Sequence, residues 1–164
     1  MSSRFVHLHL HTEFSLADSI IRVPEKPDHA DPKKAKQANL LSRAVELGMP
    51  ALAVTDRNNL FALVKFYKAA EGVGIKPIAG ADLLVADGSD APWPVTLLCR
   101  DRDGYLSLSR LLSRAWMEGH RTDGVAIDPD WLRADHQGLF AIMGRQSLAG
   151  RLALTGRHDL AEQH

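Results

Sequence analysis

Residues 5–13 read Phe-Val-His-Leu-His-Leu-His-Thr-Glu, so three histidines alternate with three apolar residues. Successive side chains of a β-strand point to opposite faces, and the alternation therefore predicts a strand with His7, His9 and His11 on one face. In a helix the same residues would be scattered around the circumference. Neutral imidazole is a common ligand of zinc and also suits iron, nickel and copper, so the row of histidines indicates a metal cluster. An edge strand with a solvated polar face is the alternative interpretation.

Bulk composition limits the classes of protein to consider. The chain has 164 residues, of which 45% are hydrophobic and 24% charged, as expected for one globular domain. Its formal net charge is zero, so it lacks the basic excess of a free-standing nucleic-acid binder. The single Cys99 excludes an internal disulfide and a multi-thiolate metal site. The chain shows neither an apolar run of about 20 residues nor a signal peptide at its start, and we expect a cytoplasmic location with no membrane contact.

The remaining chain alternates apolar runs typical of buried strands with stretches of helical periodicity. Strands are predicted at 50–56, 76–85, 95–99 and 138–143. Helices are predicted from Asp31–Pro32 to Gly48, from Asn58 or Asn59 to about 72, and at 104–118, 128–132 and 147–155. In the second helix Leu60, Leu63, Val64 and Tyr67 are expected to face the core, and in the third helix Tyr105, Leu108, Leu111, Leu112 and Ala115.

This β-then-α rhythm, repeated about five times, predicts an α/β fold with a parallel sheet. An open doubly wound sheet is possible, although no glycine-rich phosphate loop is present. A barrel would place functional groups at the carboxyl ends of its strands, where His9, His11, Asp56 and Asp82 fall. Five strands cannot close such a barrel, which needs about eight. We therefore expect the first part of a longer domain, marginal in stability and prone to association at an unpaired edge after the fifth strand.

Several ordered motifs resemble one family. They are Phe5–Leu16, Ala51–Asp56, Phe61–Ala70, Gly74–Asp82, Asp103–Tyr105 and Gly138–Gly144. The family is the polymerase and histidinol phosphatase (PHP) domain, in the version found at the N-terminus of the alpha subunit of bacterial DNA polymerase III. The resemblance covers nearly the whole chain, apart from residues 23–38, which are interpreted as an insertion. It implies a (β/α)7-like PHP barrel, with about five β/α units in residues 1–164. These residues would be the N-terminal part of a single PHP domain, without its C-terminal part or the polymerase domains.

The resemblance also implies a set of metal-ligand positions. In intact members the strand ends hold up to three metal ions, which hydrolyse phosphate esters that include the 3′ end of DNA. By motif position His9 and His11 match the opening pair of ligands, and Asp18 matches the carboxylate of the following turn. Asp82 stands at the position of a longer family glutamate. His7 lies outside the ligand pair and is expected to be structural.

Three positions depart from the family pattern. Arg57 stands where the family has the histidine of its Thr-Asp-His motif, Pro94 where it has the histidine that opens the fourth strand, and Arg145 where it has a cysteine. A guanidinium group cannot deprotonate and repels a divalent cation. We therefore expect a vestigial metal site with no bound cofactor and no catalysis within residues 1–164. Arg57 is predicted to pair with Asp18 or Asp82 and to supply the positive charge that the ions once gave.

Three functions follow from this resemblance. The first is a scaffold in the polymerase III core that docks the proofreading exonuclease subunit. Its contact with DNA would be weak or indirect. The parent protein would be a DNA-directed DNA polymerase, a nucleotidyltransferase. The alternative is a metal-dependent 3′–5′ exonuclease or phosphoesterase that uses His9, His11, Asp18 and Asp82 with zinc or manganese. A free-standing phosphatase of the histidinol phosphatase kind is disfavoured, because the polymerase-type motifs extend so far along the chain.

Overall fold

A computed structural model describes residues 5–23, 39–88, 91–122, 124–157 and 159. The chain forms two compact units, residues 1–80 and 81–164, and the boundary falls within one strand. Unit 1 contains α1 (Leu40–Glu46), β1 (Ala51–Val54), α2 (Leu63–Gly72) and the first half of β2 (Lys76–Val85). Unit 2 contains the second half of β2, β3 (Trp93–Cys99), α3 (Arg102–Glu118), β4 (His120–Arg121), β5 (Gly124–Val125), α4 (Pro129–Ala134), β6 (Leu139–Ile142) and α5 (Leu148–Leu154). No helix in the described ranges is long and apolar enough to cross a membrane.

Unit 1 is built on the predicted strand–helix–strand motif. β1 is buried along its whole length and pairs in parallel with β2, from Ala51 opposite Lys76 to Val54 opposite Ala79. The core around it consists of Val23, Leu41, Ala44, Met49, Leu52, Val54, Ala62, Phe66, Ala69, Ala70 and Ile75. The predicted end of α1 at Gly48 is confirmed by its φ of +67°, whereas the predicted start at Asp31–Pro32 and most of the insertion lie outside the described residues.

The histidine segment lies along β1 but is not the continuous strand that the alternation predicts. Its only ladder bridge within the described ranges joins His7 to Leu52 in parallel. Further along, the backbone N–H of Leu10 donates to the side chain of Thr55 at 3.0 Å, and Thr55 N–H donates back to Leu10 O at 2.8 Å. The Thr55 hydroxyl therefore accepts a hydrogen bond in place of a backbone carbonyl. The ladder of backbone hydrogen bonds between the two segments is interrupted at Leu10.

α2 buries a different face from the predicted one. Val64 is 66% exposed and Tyr67 47% exposed. The buried positions are Ala62, Phe66, Ala69 and Ala70. Both sets repeat at helical spacing, and packing favours the face on which alanines let the helix approach the sheet closely around Phe66. The predicted cap by Asn59 lies in the turn before α2: its side-chain oxygen accepts the N–H of Phe61 at 3.0 Å. The N-cap position of α2 itself is Ala62, which has no side-chain cap. The Asn59 amide also donates to Phe14 O at 3.1 Å and to Arg57 O at 2.8 Å.

Unit 2 is not all-parallel, and this corrects the predicted parallel sheet. β6 runs antiparallel to β3, from Thr96 opposite Ile142 to Cys99 opposite Leu139. The connection from β3 to β6 contains α3, the β4–β5 hairpin and α4. The hairpin lies between the predicted helices at 104–118 and 128–132, where the sequence predicts no strand. A simple β–α–β count therefore misses this part of the connection. The fold is therefore mixed α/β, and the seven-unit barrel count remains a prediction.

α3 confirms four of its five predicted core positions. Leu108, Leu111, Leu112 and Ala115 are buried. Tyr105 is instead 43% exposed. The helix begins after Asp101, whose carboxylate accepts the N–H of Gly104 at 3.0 Å. That hydrogen bond is the main cause that lowers the pKa of Asp101, with Arg100 adding to it.

Two glycines bring the first turn of α3 against the segment that leads into β6. A Cβ on Gly104 would lie 1.9 Å from Gly138 O, and Gly138 itself has a φ of +71°. Neither position has room for a side chain, because the obstructing atoms belong to the backbone and, at Gly138, also to the Asp101 carboxylate. This close approach fixes the distance between α3 and β6.

We predict that Gly104→Ala lowers the free energy of unfolding by about 3 kcal/mol or more, since the backbone must separate to accept the methyl group. Gly72→Ala is the matched control: Gly72 is also helical, and its Cβ would meet nothing within 4 Å. This control should be neutral or stabilising by up to about 1 kcal/mol. Urea unfolding followed by circular dichroism measures both variants, and equal effects would contradict the close approach.

Candidate metal centre

The site in unit 1 is organised by the buried carboxylate of Asp56, which is 1% exposed and lies just after β1. One oxygen accepts the backbone N–H of Thr12 at 2.7 Å and the Ser15 hydroxyl at 2.6 Å. The other accepts the Thr12 hydroxyl at 2.7 Å. These three bonds tie the turn after the histidine segment to the end of β1.

The turn then folds back on itself and positions Asp18. Asp18 N–H donates to Ser15 O at 3.0 Å, and the Ser19 hydroxyl donates to His11 O at 2.8 Å. Ala17 adopts a φ of +67°, a left-handed conformation that costs a non-glycine residue about 1 kcal/mol or more. The hydrogen bonds on both sides hold this strained residue in place.

The two histidines predicted as ligands are neighbours. The rings of His9 and His11 meet edge to face, with centroids 4.9 Å apart. His11 Nδ1 lies 3.6 Å from Asp18 Oδ2. His7 instead packs edge-on against Phe5, with centroids 4.7 Å apart. The unit therefore brings together His9, His11 and Asp18, three of the four residues predicted to remain from the ligand set.

The predicted ion pair of Arg57 is confirmed, and its partner is Asp18. Arg57 Nε lies 2.6 Å from Asp18 Oδ2, the same oxygen that faces His11. The backbone N–H of Arg57 donates to the Ser15 hydroxyl at 3.0 Å, so the residue is anchored to the turn as well. The Arg57 side chain is 63% exposed and that of Asp18 27% exposed. A surface pair of this kind contributes little stability, about 0–1 kcal/mol.

Arg57 would compete with a metal ion for Asp18. A metal ion that used Asp18 Oδ2 together with His11 would have to displace the Arg57 guanidinium or sit beside a permanent positive charge. The ion pair also occupies the carboxylate oxygen closest to the histidines.

The remaining predicted positions belong to unit 2. Asp82, on β2, is half-buried and accepts a hydrogen bond from the Thr96 hydroxyl at 2.6 Å. Pro94 lies on β3 and offers no ligating group, and Arg145 is exposed in the turn after β6. Burial raises the pKa of the Cys99 thiol to about 11, with Asp101 contributing. At neutral pH this thiol is therefore protonated.

The polar network around Asp56 is the part of the site that the sequence analysis missed. The sequence predicts Asp56 at a strand end but indicates no role for its partners Thr12 and Ser15. Both partners are almost fully buried, at 0% and 1% exposure. The sequence does carry a signal for this network, because Thr12 and Ser15 are hydroxyl residues three positions apart after a predicted strand. Such residues often fix turns through side-chain hydrogen bonds.

Comparison with known proteins identifies the family. The PHP domain family model matches residues 7–163, and the chain belongs to this family. The chain is 72% identical over 163 residues to the DNA polymerase III subunit alpha of Xylella fastidiosa strain Temecula1, covering 99% of the chain and 14% of that relative. It is 40% identical to the same subunit of Escherichia coli strain K12, covering 98% of the chain and 13% of the relative. The chain thus spans about one-seventh of the length of these relatives.

A solved structure with a weaker likeness is an amidohydrolase from Chromobacterium violaceum with bound sulfate and no metal. It is 21% identical, with a TM-score of 0.42, and the match covers 70% of this chain and 37% of that one.

We predict that the two aspartates of this site differ widely in their effect on stability. Asp56→Ala should lower the free energy of unfolding by about 3 kcal/mol or more, because it leaves three buried donors without an acceptor. Asp18→Ala, in the surface pair, should cost less than about 1 kcal/mol. Urea denaturation of the two variants provides the comparison, and similar losses would show that Asp56 is not the organising group.

Proposed function

We propose that the chain is the PHP domain of a replicative DNA polymerase of the polymerase III alpha kind, and that its metal centre is vestigial. On this proposal residues 1–164 are the N-terminal part of that domain and serve as a scaffold rather than an enzyme. The observation that carries the proposal is the contact of Arg57 Nε with Asp18 Oδ2 at 2.6 Å.

The Arg57 contact supports a scaffold because a guanidinium supplies the positive charge at Asp18, while the hydrogen bonds to Asp56 hold the turn without an ion. In an intact family member the carboxylate of this turn would face metal, whereas here a guanidinium neutralises it. The charge is permanent, because arginine does not deprotonate in proteins. The turn geometry is therefore retained while the Lewis acid needed for phosphate ester hydrolysis is lost.

We further propose that the partner of this scaffold is the proofreading exonuclease subunit within the polymerase core, and that DNA contact is weak or indirect. A net charge of zero provides no long-range attraction to phosphate. Exposed apolar side chains on and before α2 suit a protein partner better, notably Phe61 at 71% and Val64 at 66% exposure.

The second candidate function is metal-dependent phosphoesterase or 3′–5′ exonuclease activity. The observation in its favour is the pair of neighbouring imidazoles, His9 and His11. Two imidazoles with carboxylates would select zinc or manganese. The carboxylate ligands would be Asp18 and, by motif position, Asp82. The residues of this chain would then have to bind the ion despite the adjacent Arg57.

We predict that the purified chain carries zinc or manganese at well below one ion per chain, measured by plasma mass spectrometry after dialysis. Arg57→His should yield no phosphoesterase activity on a nitrophenyl phosphate diester, because Pro94 and Arg145 still replace two ligands. Arg43→His, at an exposed arginine of α1, is the matched control. One ion per chain in the unaltered protein, lost on His9→Ala, would favour the second function.

We predict co-elution of the chain with the proofreading exonuclease subunit on size-exclusion chromatography, and no gel shift of primer-template DNA at the same concentration. Val64→Asp should weaken the co-elution, because it places a charge in the exposed apolar surface. Lys68→Asp is the control and should leave the co-elution unchanged, because it alters charge on the same helix without removing an apolar contact. Tight, salt-sensitive DNA binding without co-elution would reverse the proposed partner.

A further inference from the structure

α3 presents a broad exposed face that carries no charged residue after its first turn. At 100° per residue, six side chains between positions 105 and 117 share an arc of about 120°. They are Tyr105, Leu106, Ser109, Ser113, Trp116 and Met117. The four large ones are exposed by 43%, 40%, 51% and 71% for Tyr105, Leu106, Trp116 and Met117. Aromatic residues and methionine are enriched at protein interfaces, so this face has the composition of a contact surface.

The arginines next to this face are held away from it. Arg110 Nε lies 2.7 Å from Asp135 Oδ1, just beyond α4. Arg114 stacks over the ring of Trp131 at 4.0 Å from its centroid and also pairs with Glu118 at 3.0 Å. Both cations are thereby drawn toward α4. The charge that remains on the same arc is Arg102, one turn before Tyr105.

The order of side chains along this face is self-complementary. Large residues occupy both ends, and the two serines lie in the middle. Reversal about position 111 exchanges Tyr105 with Met117, Leu106 with Trp116 and Ser109 with Ser113. A two-fold axis requires this relation, because residue i of one copy then meets residue j of the other and the reverse.

We propose that this face of α3 binds a second copy of the chain, with the two α3 helices packed antiparallel about a two-fold axis near position 111. The serines lie at the crossing, where small side chains let the helices approach to the usual 8–10 Å between axes. Leu106 packs against Trp116 of the second copy and Tyr105 against Met117, a sulfur–aromatic pairing that is favourable by itself.

Burial of Ser109 at this crossing carries little desolvation cost. The Ser109 hydroxyl already donates to Tyr105 O at 2.8 Å within the same helix, so it needs no new partner when water is excluded. The contact is confined to one helix pair and falls below the standard interface of roughly 1,200–2,000 Å². The dimer is therefore weak, with dissociation in the micromolar range.

The test is sedimentation equilibrium of the 164-residue chain over a hundredfold range of concentration. We expect a reversible monomer–dimer equilibrium. Ser113→Arg places an unpaired charge at the crossing and should raise the dissociation constant roughly 100-fold. Arginine is a good helix former at an exposed position, so the variant should fold, and its circular dichroism and melting temperature serve as the check.

Two control variants distinguish this face from other exposed apolar surfaces. Val64→Arg introduces the same charge on α2, and Phe140→Lys, at a residue 57% exposed, introduces one on β6. Both should leave the dimer intact. A chain that is monomeric at every concentration, a dimer that survives Ser113→Arg, or a dimer lost through either control would overturn the proposal.

Discussion

A buried carboxylate with three hydrogen-bond donors is the constraint on which unit 1 depends. Asp56 takes all three from Thr12 and Ser15, and the turn that they anchor carries Asp18. Burial of a carboxylate is unfavourable unless its lone pairs are satisfied, so the turn and the strand end form together. The positions of Asp18 and Arg57 follow from this network, because Arg57 is anchored through Ser15 as well.

The two aspartates of the site have different roles. The ions of a multinuclear centre both catalyse and neutralise carboxylates. Here Arg57 performs the second role for Asp18, at 2.6 Å, while the structural load rests on Asp56, which needs no ion. The hydrogen bonds that hold the turn are therefore separate from the charge that faces Asp18.

Unit 2 depends on backbone proximity rather than on a polar network. Gly104 and Gly138 bring α3 against the chain that enters β6, and β6 then pairs antiparallel with β3. One face of α3 is fully used in this packing. On the opposite, exposed face, residues from Tyr105 to Met117 carry no charge, because Arg110 and Arg114 form ion pairs away from it. This exposed face leaves surface for a partner.

The sequence by itself determined which segments are strands and helices in most of the described chain. β2 matches its predicted bounds of 76–85, and the capped starts of α4 and α5 were recognisable from Asp128 and Ser147. Period and capping are local properties, so they can be predicted from neighbouring residues. The resemblance to the family also predicted an ion pair of Arg57 with a nearby aspartate, and this pair is present.

Only the tertiary structure decided three other features. Arg57 had two candidate partners, and the turn held by Asp56 brought Asp18 to it. α2 carries two apolar stripes, and packing selected the one around Phe66. β6 is predicted as a strand and is one, but it is largely exposed, and its direction depends on the path of the whole connection from β3. Each choice is between locally equivalent states, and contacts between residues distant in sequence determine the outcome.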